Sequence, residues 1–368
     1  MKIAIVAPVE EVVPPQKYGG IERVVSVLTE QLVVMGHDVT LFASGDSKTN
    51  ARLVPMSERA IRTLPESKSM EVRKTYMMLG MNKFLNDLQD NDYDVVHNHV
   101  SEYLLMVDGL IKPPVVTTLH GPLNSAFEKL IYGTMPEANY VSISHSQRKP
   151  MPDLNYVANV HNAINTDEFD FYPNQGDYLA FLGRISPEKG PIQAINIAKK
   201  SGYKLIMGAK VDPQDAAYFE EEVKPLIDGD QIVFLGEIDH AQKVDLLGNA
   251  KAMLAPIQWE EPFGMYYIES LACGTPVATI GRGSVPEIIT DKVHGIVCSN
   301  ADEIIERLGE LDDIDRKVCR QQVEKNFSAK QMGTQYLDVY QKVIDADLRA
   351  TDHSSKEKDA FPSSHPKS

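Results

Sequence analysis

The sequence predicts an α/β protein with two domains, each built on a parallel sheet with helices on both faces. Its length of 368 residues exceeds what one ordinary hydrophobic core holds. Short apolar runs alternate with amphipathic segments, which is typical of parallel sheets, and the alternation restarts after the middle of the chain. We expect one domain at residues 1–165, a second at 166–330, a helix at 331–350 and a disordered tail at 351–368.

The first half opens with the run KIAIVAPV, which we interpret as a strand rather than as a signal peptide. A helix should begin at Gly19-Gly20, because apolar residues recur at helical spacing from Ile21 to Leu32, and Gly36 should end it. The remaining strands of this half are predicted in DVTLFAS, YDVVHNH, PVVTTLHG and NYVSISHS.

The second half repeats the pattern. Strands are predicted in DYLAFLGRI, KLIMGA, QIVFLGEI, AKAMLAPI and TPVATI, and helices in PIQAINIAKKSG and DAAYFEEEVKPLI. The segment AKQMGTQYLDVYQKVIDADL is an amphipathic helix without a place in the second sheet. The tail after it has few apolar residues, which favours disorder.

Composition excludes some classes of function. The net charge of −15 argues against a nucleic-acid binder. Cys273, Cys298 and Cys319 lack metal-ligand spacing and cannot all pair, so we expect buried free thiols and a cytoplasmic protein. No apolar run is long enough to span a bilayer.

A locally basic segment runs from Arg52 to Lys83. It is expected to form a solvated helix face or, alternatively, a surface for the acceptor or for weak peripheral contact with a membrane through the N-terminal domain.

Ligands bind open parallel sheets beyond the carboxyl ends of the strands. In the second half, the first strand ends in GRISPEKG, which places Arg184 and Lys189 in a turn leading into a helix. Two cations there would suit a diphosphate, although a surface loop capped by Glu188 would have the same pattern.

The stretch EPFGMYYIES holds two acids, Glu261 and Glu269, around a Pro-Phe-Gly corner. Pro262 suits the start of a helix, so that Phe263, Gly264 and Met265 would present free backbone N–H groups to an anion. The two acids would then reach opposite ends of one ligand, a ribose at Glu269 and a second sugar at Glu261. This pattern predicts a nucleotide sugar.

The first half should face this site across a cleft. Gly19 and Gly20 at a helix start offer further N–H groups, and His120, at a strand end, should contact the donor sugar or the acceptor. His97 and His99 also lie at a strand end, where a structural role is as frequent as a functional one.

Taken in order, several motifs make the chain resemble the family-four retaining glycosyltransferases of GT-B architecture. They are GG-x-E-R-V from Gly19, TLHG, GRISPEKG, the E-x7-E segment with EPFG, ACGTPV and GSVPEII. The usual HNG between the domains reads His161-Asn162-Ala163 here, and Met265 stands where Leu is commoner.

The resemblance implies that Arg184 and Lys189 clamp the donor diphosphate, that Glu261 contacts the donor sugar and that Glu269 contacts the ribose. It places Glu237 and Ile238 beside the base and returns the last helix to the N-terminal domain. It further implies sugar transfer with retention, without a metal or other cofactor, from a nucleoside-diphosphate sugar (UDP favoured, GDP the other candidate) to a carbohydrate or lipid-linked acceptor.

Other functions also fit parts of the sequence. A metal-dependent transferase would use a D-x-D pair, such as those in Asp90–Asp94 or Asp313–Asp315, but solvated acids are the favoured interpretation. The loop after KIAIVAP lacks the G-x-G-x-x-G of a dinucleotide-binding dehydrogenase. A nucleotide-sugar epimerase or hydrolase, or a binding module without catalysis, are the alternatives.

Overall fold

The fold is described from a computed structural model. It describes residues 1–17, 19–62 and 64–359, and for Lys68 and residues 350–359 it describes the backbone alone.

The N-terminal half of the chain forms a parallel sheet with the strand order β3-β2-β1-β4-β5-β6-β7. Its strands are β1 (Lys2–Val6), β2 (Asp38–Ser44), β3 (Arg52–Ser57), β4 (Val95–Asn98), β5 (Val115–Thr118), β6 (Asn139–Ser142) and β7 (Tyr156–Asn159). Most of the β1 and β4–β6 residues are buried, because helices cover both faces of the sheet.

The C-terminal half forms a second parallel sheet with the order β10-β9-β8-β11-β12-β13. Its strands are β8 (Tyr178–Arg184), β9 (Lys204–Lys210), β10 (Ile232–Gly236), β11 (Ala252–Ala255), β12 (Val277–Ile280) and β13 (Gly295–Cys298). Two Rossmann-like sheets in one chain are the architecture that the sequence predicted.

Helices connect the strands within each half. Those of the N-terminal half are α1 (Gly20–Val34), α2 (Met70–Asp90), α3 (Glu102–Leu105) and α4 (Ala126–Thr134). Those of the C-terminal half are α5 (Pro191–Ser201), α6 (Ala216–Tyr218), α7 (His240–Gly248), α8 (Met265–Ala272), α9 (Val285–Ile288), α10 (Ala301–Arg307) and α11 (Arg316–Asn326), and α12 (Ala329–Asp359) follows.

The last helix crosses back onto the first sheet, as predicted. Tyr336 and Tyr340 of α12 are buried in the same apolar core as Ile3 and Leu28 of the N-terminal half. The prediction followed from an apolar helix face that the second sheet could not cover, and the structure buries that face against α1 and β7.

Part of the segment 351–368, which was predicted to be a disordered tail, is helical. The helix α12 continues to Asp359, nine residues into it, and residues 360–368 lie outside the described residues. Its first proline is Pro362, so no helix-breaking residue precedes Asp359 in that stretch. The proposed domain limits at 165 and 330 stay predictions.

Three strands were missed by the sequence patterns: β3, β7 and β13. β3 lies at a sheet edge and contains Pro55, and an edge strand tolerates a residue without an N–H group. The helix expected at DAAYFEEEVKPLI is α6 followed by a π-helical turn and a 3₁₀ turn that contains Pro225.

The basic segment is not one helix face, since it spans β3, a loop and α2. Arg52 pairs with Asp87, and Arg62 pairs with Glu11. The three cysteines are free and buried, as expected. Among the described residues, we find no helix with the length and apolarity needed to cross a membrane.

Candidate active site

A cleft of about 580 Å³ lies where the carboxyl ends of the two sheets face each other. Loops that follow β1, β5 and β7 line one side, and loops that follow β8 to β11 line the other. Every residue that the sequence predicted for the site is among the lining residues: Gly19, Gly20, His120, Arg184, Lys189, Glu237, Ile238, Glu261, Phe263, Gly264, Met265 and Glu269. Their individual roles stay predictions.

The corner before α8 is fixed by its backbone. Gly264 caps the helix in the left-handed region, with φ at 80°, and a Cβ atom there would lie 2.5 Å from Cε2 of Tyr267. The Ser284 hydroxyl donates to the Phe263 carbonyl at 2.6 Å, and the Ser144 hydroxyl donates to the Pro262 carbonyl at 2.6 Å. The corner is therefore held by both halves of the chain.

Helix α8 begins at Met265, three residues later than Pro262, where the sequence placed its start. The shift follows from Gly264, whose left-handed backbone cannot continue a helix. The N–H groups of Phe263, Gly264 and Met265 donate no hydrogen bond to any described residue, so they are available to an anion in the cleft.

Glu261 is buried in the cleft and paired with a cation. Its Oε2 accepts from Lys189 Nζ, from the Tyr266 hydroxyl at 2.6 Å and from Trp259 Nε1 at 3.2 Å. Lys189 thus contacts the acid from the other strand-end loop, which brings the GRISPEKG and EPFG segments into one site.

Glu269 forms the second buried ion pair, with Lys243 of α7. Burial opposes ionisation of this carboxyl, but the neighbouring Lys243 and Arg23 outweigh it and hold the pKa of Glu269 below its usual value. Burial also lowers the pKa of Lys243, although the neighbouring Glu269 opposes that shift, and both members of the pair line the cleft.

Arg184 ends β8 and lies in a network of acids. It pairs with Glu188, and its Nε lies 3.5 Å from Oδ2 of Asp215. Glu188 therefore pairs with the cation rather than capping the turn alone. The guanidinium also lines the cleft, so a diphosphate entering there would meet a partly neutralised cation.

Beyond β10, Glu237 and Ile238 form the far end of the cleft. The side chain of Ile238 packs on Gly208 of β9, where an added Cβ would lie 2.4 Å from its Cδ1. This close packing places an apolar side chain in the wall of the cleft, and the contact of Glu237 and Ile238 with a base stays a prediction.

The N-terminal wall is the loop before α1. Gly19 has φ at 155°, and a Cβ atom there would lie 2.6 Å from Cβ of Pro15. Arg23 holds this loop by donating to the carbonyl of Lys17 at 3.1 Å. Glu22 is 5% exposed and lines the cleft, and burial raises its pKa to about 7.

His120 lines the cleft and is connected to the interior. Its Nε2 lies 2.9 Å from Nδ1 of His99, and burial lowers the pKa of His120 to about 4. His97 is fully buried, with its two ring nitrogens 2.7 Å from the Tyr340 hydroxyl and from the Thr118 hydroxyl. His97 thus joins the sheet to α12, whereas His120 faces the ligand space.

The segment His161-Asn162-Ala163 joins the halves near the cleft, and Asn162 lines it. Glu287 accepts from the backbone N–H groups of His145 and Ser146, at 2.9 Å each, and lies 3.1 Å from Nε2 of His161. The acid of the GSVPEII motif therefore fastens the C-terminal half to the N-terminal half beside the site.

Neither acidic D-x-D segment lies in this cleft. The Asp94 carboxylate accepts from the backbone N–H of Lys2 at 2.7 Å, at the amino end of the first sheet. Asp315 caps α11 through Lys317 N. These positions support the interpretation as solvated and capping acids.

Sequence reasoning missed Lys243, Trp259 and Tyr266 as site residues, and it gave Glu22 no role. A lysine among the buried residues Val244, Leu246 and Leu247 of a helix that follows a strand was a usable signal for Lys243. Trp259 and Tyr266 flank Glu261 in the sequence, but only the folded corner turns their polar atoms onto one carboxylate oxygen.

Two Rossmann-like sheets facing a cleft with a returning C-terminal helix define the GT-B architecture of glycosyltransferases. The chain belongs to the family-four glycosyltransferases: the sequence model described as Glycosyltransferase Family 4 matches residues 18–167, and that described as Glycosyl transferases group 1 matches residues 166–326.

Individual proteins agree with this assignment. A glycosyltransferase of uncharacterized function from Methanocaldococcus jannaschii is 25% identical over 333 residues, covering 77% of this chain and 82% of that protein. The phosphatidyl-myo-inositol mannosyltransferase of Mycobacterium tuberculosis is 24% identical over 312 residues, with 79% and 80% covered. The crystal structure of Anabaena HepE in complex with UDP and glucose shares the fold with a TM-score of 0.69 at 16% identity, covering 93% of this chain and all of that one.

Proposed function

We propose that the protein is a retaining glycosyltransferase that moves a sugar from a nucleoside-diphosphate sugar to the hydroxyl of a glycan, glycolipid or small glycoside. One observation carries the proposal: the two acids with seven residues between them each pair with a largely buried cation in one cleft, Glu261 with Lys189 and Glu269 with Lys243. Alternating acids and cations fit a ligand in which a diphosphate lies between two sugars.

A UDP sugar is the favoured donor, and a GDP sugar is the other candidate. The structural neighbour HepE was crystallised with UDP and glucose and also with UDP-glucose. The mannosyltransferase relative, whose name specifies a lipid-linked inositol acceptor, supports a glycolipid among the acceptor classes. A cytoplasmic location and weak contact with a membrane surface stay predictions.

The cleft supplies positive charge where the leaving group would gain negative charge. As the bond between the anomeric carbon and the diphosphate breaks, Arg184, Lys189 and the free N–H groups at α8 would stabilise the departing phosphate more than the ground state. These groups could replace a metal, so we propose a metal-independent reaction.

We propose that retention follows because the acceptor oxygen attacks from the side of the leaving group, without a covalent intermediate on the protein. In that step the new bond to the anomeric carbon forms on the face where the phosphate bond breaks, and the acceptor proton passes to an oxygen of the β-phosphate. The diphosphate then leaves as the protonated product. Glu261 would orient the sugar during the step, and His120 would contact the sugar or the acceptor from the opposite wall.

The decisive experiment is incubation with UDP-glucose and GDP-mannose, each with a panel of acceptor glycosides, followed by NMR of the product anomer. Transfer with an unchanged anomeric configuration is expected. An inverted product would contradict retention, and free sugar with every acceptor would indicate a hydrolase. Sugar nucleotide converted without transfer would indicate an epimerase, and binding without turnover would indicate a binding module.

The same assay tests the metal proposal. Because fixed cations and helix N–H groups already face the diphosphate, EDTA should change the transfer rate by less than about twofold. Loss of activity in EDTA that Mn²⁺ or Mg²⁺ restores, and Na⁺ does not, would contradict this prediction and would return Asp90–Asp94 to consideration.

A further inference from the structure

The two carboxylate oxygens of Glu261 have different surroundings. Oε2 accepts from three donors: Lys189 Nζ, the Tyr266 hydroxyl at 2.6 Å and Trp259 Nε1 at 3.2 Å. Oε1 accepts no hydrogen bond from any residue that the structure describes. The carboxylate therefore has one saturated oxygen and one oxygen available to a ligand, because Glu261 lines the cleft.

Trp259 and Tyr266 also enclose the cation. The Nζ of Lys189 lies 4.8 Å from the centre of the Tyr266 ring and 5.1 Å from the centre of the Trp259 ring. Both distances are within the range of cation–π attraction. The two aromatic side chains therefore restrain Lys189 and Glu261 together, and neither of these two charged side chains can rotate without losing contacts.

The Tyr266 hydroxyl donates a hydrogen bond to Oε2 of Glu261. Burial, together with the adjacent Glu261, holds the pKa of Tyr266 well above its usual value, so the hydroxyl keeps its proton. Its other near neighbour is the Tyr267 hydroxyl at 3.3 Å. A proton donated to Oε2 by a buried tyrosine fixes the rotation of the carboxylate group about its last bond.

We propose that Tyr266 and Trp259 are positioning residues that fix the rotation of Glu261 and thereby set the selectivity for the transferred sugar. The inference rests on the proposed function, in which Glu261 contacts that sugar. Oε1 can only accept a hydrogen bond, so it selects a sugar that offers a hydroxyl group at that place. A donor without this hydroxyl would leave a buried carboxylate oxygen unpaired.

The test uses two single-atom changes in adjacent residues. Tyr266→Phe removes the hydroxyl bound to Glu261 and keeps the ring beside Lys189. Tyr267→Phe is the matched control, because this tyrosine is also buried on the same helix, and its hydroxyl neighbours that of Tyr266 instead of Oε2. Trp259→Phe is a second variant at a partly exposed position, which keeps the proposal testable if Tyr266→Phe folds poorly.

Binding can be measured without any acceptor. Trp259 is the one tryptophan in the sequence and lies in the cleft, so its fluorescence reports on nucleotide binding directly. UDP and GDP are titrated into the wild type, Tyr266→Phe and Tyr267→Phe, and calorimetry replaces fluorescence for Trp259→Phe. The dissociation constant of the nucleotide should change by less than about threefold in every variant, because the nucleotide lacks the transferred sugar.

Turnover is then followed as release of nucleotide from the donor, UDP-glucose or GDP-mannose, and from its deoxy-sugar analogues. In Tyr266→Phe, kcat should fall about ten- to a hundredfold, as expected for a lost hydrogen bond to a charged group, while KM changes by less than about threefold. For the deoxy analogue that the wild type turns over most slowly, the ratio of kcat/KM for the parent donor to kcat/KM for that analogue should fall about tenfold. Trp259→Phe should act in the same direction, and Tyr267→Phe should stay within about twofold of the wild type.

The outcomes separate two failures. Suppose that the wild type binds nucleotide and turns over a donor. If Tyr266→Phe then keeps the wild-type kcat and sugar preference, or if Tyr267→Phe loses as much kcat and preference as Tyr266→Phe, the positioning role is wrong while the proposed function stands. An equal loss with all sugars would indicate a structural role and would likewise overturn it. If neither UDP nor GDP binds to the wild type, or neither donor turns over, the proposed function fails, and this inference fails with it.

Discussion

Lys189 and Glu261 form an ion pair across 72 residues of sequence, with side chains only 13% and 7% exposed. With two further pairs, Lys243 with Glu269 and Arg184 with Glu188, each charged side chain predicted to contact the diphosphate or a sugar in this half lies beside a countercharge. Isolated buried charges are costly, so pairing stabilises the cleft before a ligand arrives. A donor must exchange or extend these pairs, and removal of either member should lower stability because it leaves the other charge unpaired.

The first prediction concerns the cations that face the diphosphate. Arg184→Ala or Lys189→Ala should raise the activation free energy of transfer by about 2–4 kcal/mol, because each removes a preorganised charge that acts most strongly in the transition state. The measurement is kcat/KM for the donor at a temperature where each variant is folded.

Lys200→Ala is the control for this experiment. Lys200 lies in α5, the helix that follows the turn with Lys189, but it pairs with Asp302 on the surface, where both side chains are more than 60% exposed. Such a pair contributes at most about 1 kcal/mol to stability and nothing to the cleft. Transfer rates within a few-fold of wild type in both Arg184→Ala and Lys189→Ala would contradict the proposed clamp.

The second prediction separates the two acids. Glu269→Ala should weaken the binding of the free nucleoside diphosphate and raise the donor KM more than it lowers kcat, because a ribose contact exists in the ground state as well. Glu261→Ala should lower kcat sharply and leave nucleotide affinity near that of the wild type.

Calorimetric titration of UDP and GDP into both variants measures this difference. Lys243 would be left unpaired and buried in Glu269→Ala, so the double variant Glu269→Ala/Lys243→Met is a needed control. It should recover stability but not nucleotide affinity. Equal affinities in the two single variants would remove this explanation for the spacing of the acids.

The sequence predicted the two-sheet architecture because buried parallel strands are apolar runs, and it predicted the cleft because the polar residues followed those strands. β3 escaped prediction because Pro55, which lacks an N–H group, interrupts its short apolar run, and such a residue fits a strand only at a sheet edge or a bulge. The pairing of Lys243 with Glu269 could not be read from the chain, since it depends on how α7 packs beside α8. The start of α8 was misplaced because Gly264 controls it more strongly than Pro262 does.

The third prediction is a pH dependence of stability at Glu22. Its pKa is raised from 4.5 to about 7 by burial, so the folded protein binds this proton more tightly than the unfolded chain. The stabilisation is complete below pH 4.5 and is lost as the pH rises through 7, and the loss amounts to about 3 kcal/mol at most.

Glu22→Gln carries no titrating group there, so its stability relative to the wild type should rise between pH 5 and pH 8. Urea unfolding of both proteins at the two pH values measures the change. Glu22→Asp keeps a carboxylate and should keep most of the pH dependence of the wild type. A constant difference between Glu22→Gln and the wild type would show that Glu22 is not protonated preferentially in the folded state.

The last prediction concerns α12 as a structural part of the N-terminal half. Tyr340 is fully buried and its hydroxyl lies 2.7 Å from Nδ1 of His97, in a site where burial lowers the pKa of that histidine to about 3. Tyr340→Ala should therefore destabilise the protein by about 3–5 kcal/mol, since it opens a cavity and leaves His97 without this partner. Leu348→Ala is the control on the same helix, because Leu348 is 62% exposed, and it should change stability by less than about 0.5 kcal/mol.

Deletion of residues 329–368 should lower the melting temperature far more than deletion of 351–368, which removes no apolar contact that the structure describes. If the long deletion melts like the intact protein, α12 does not stabilise the first sheet, and the packing of Tyr336 and Tyr340 against it would be energetically neutral.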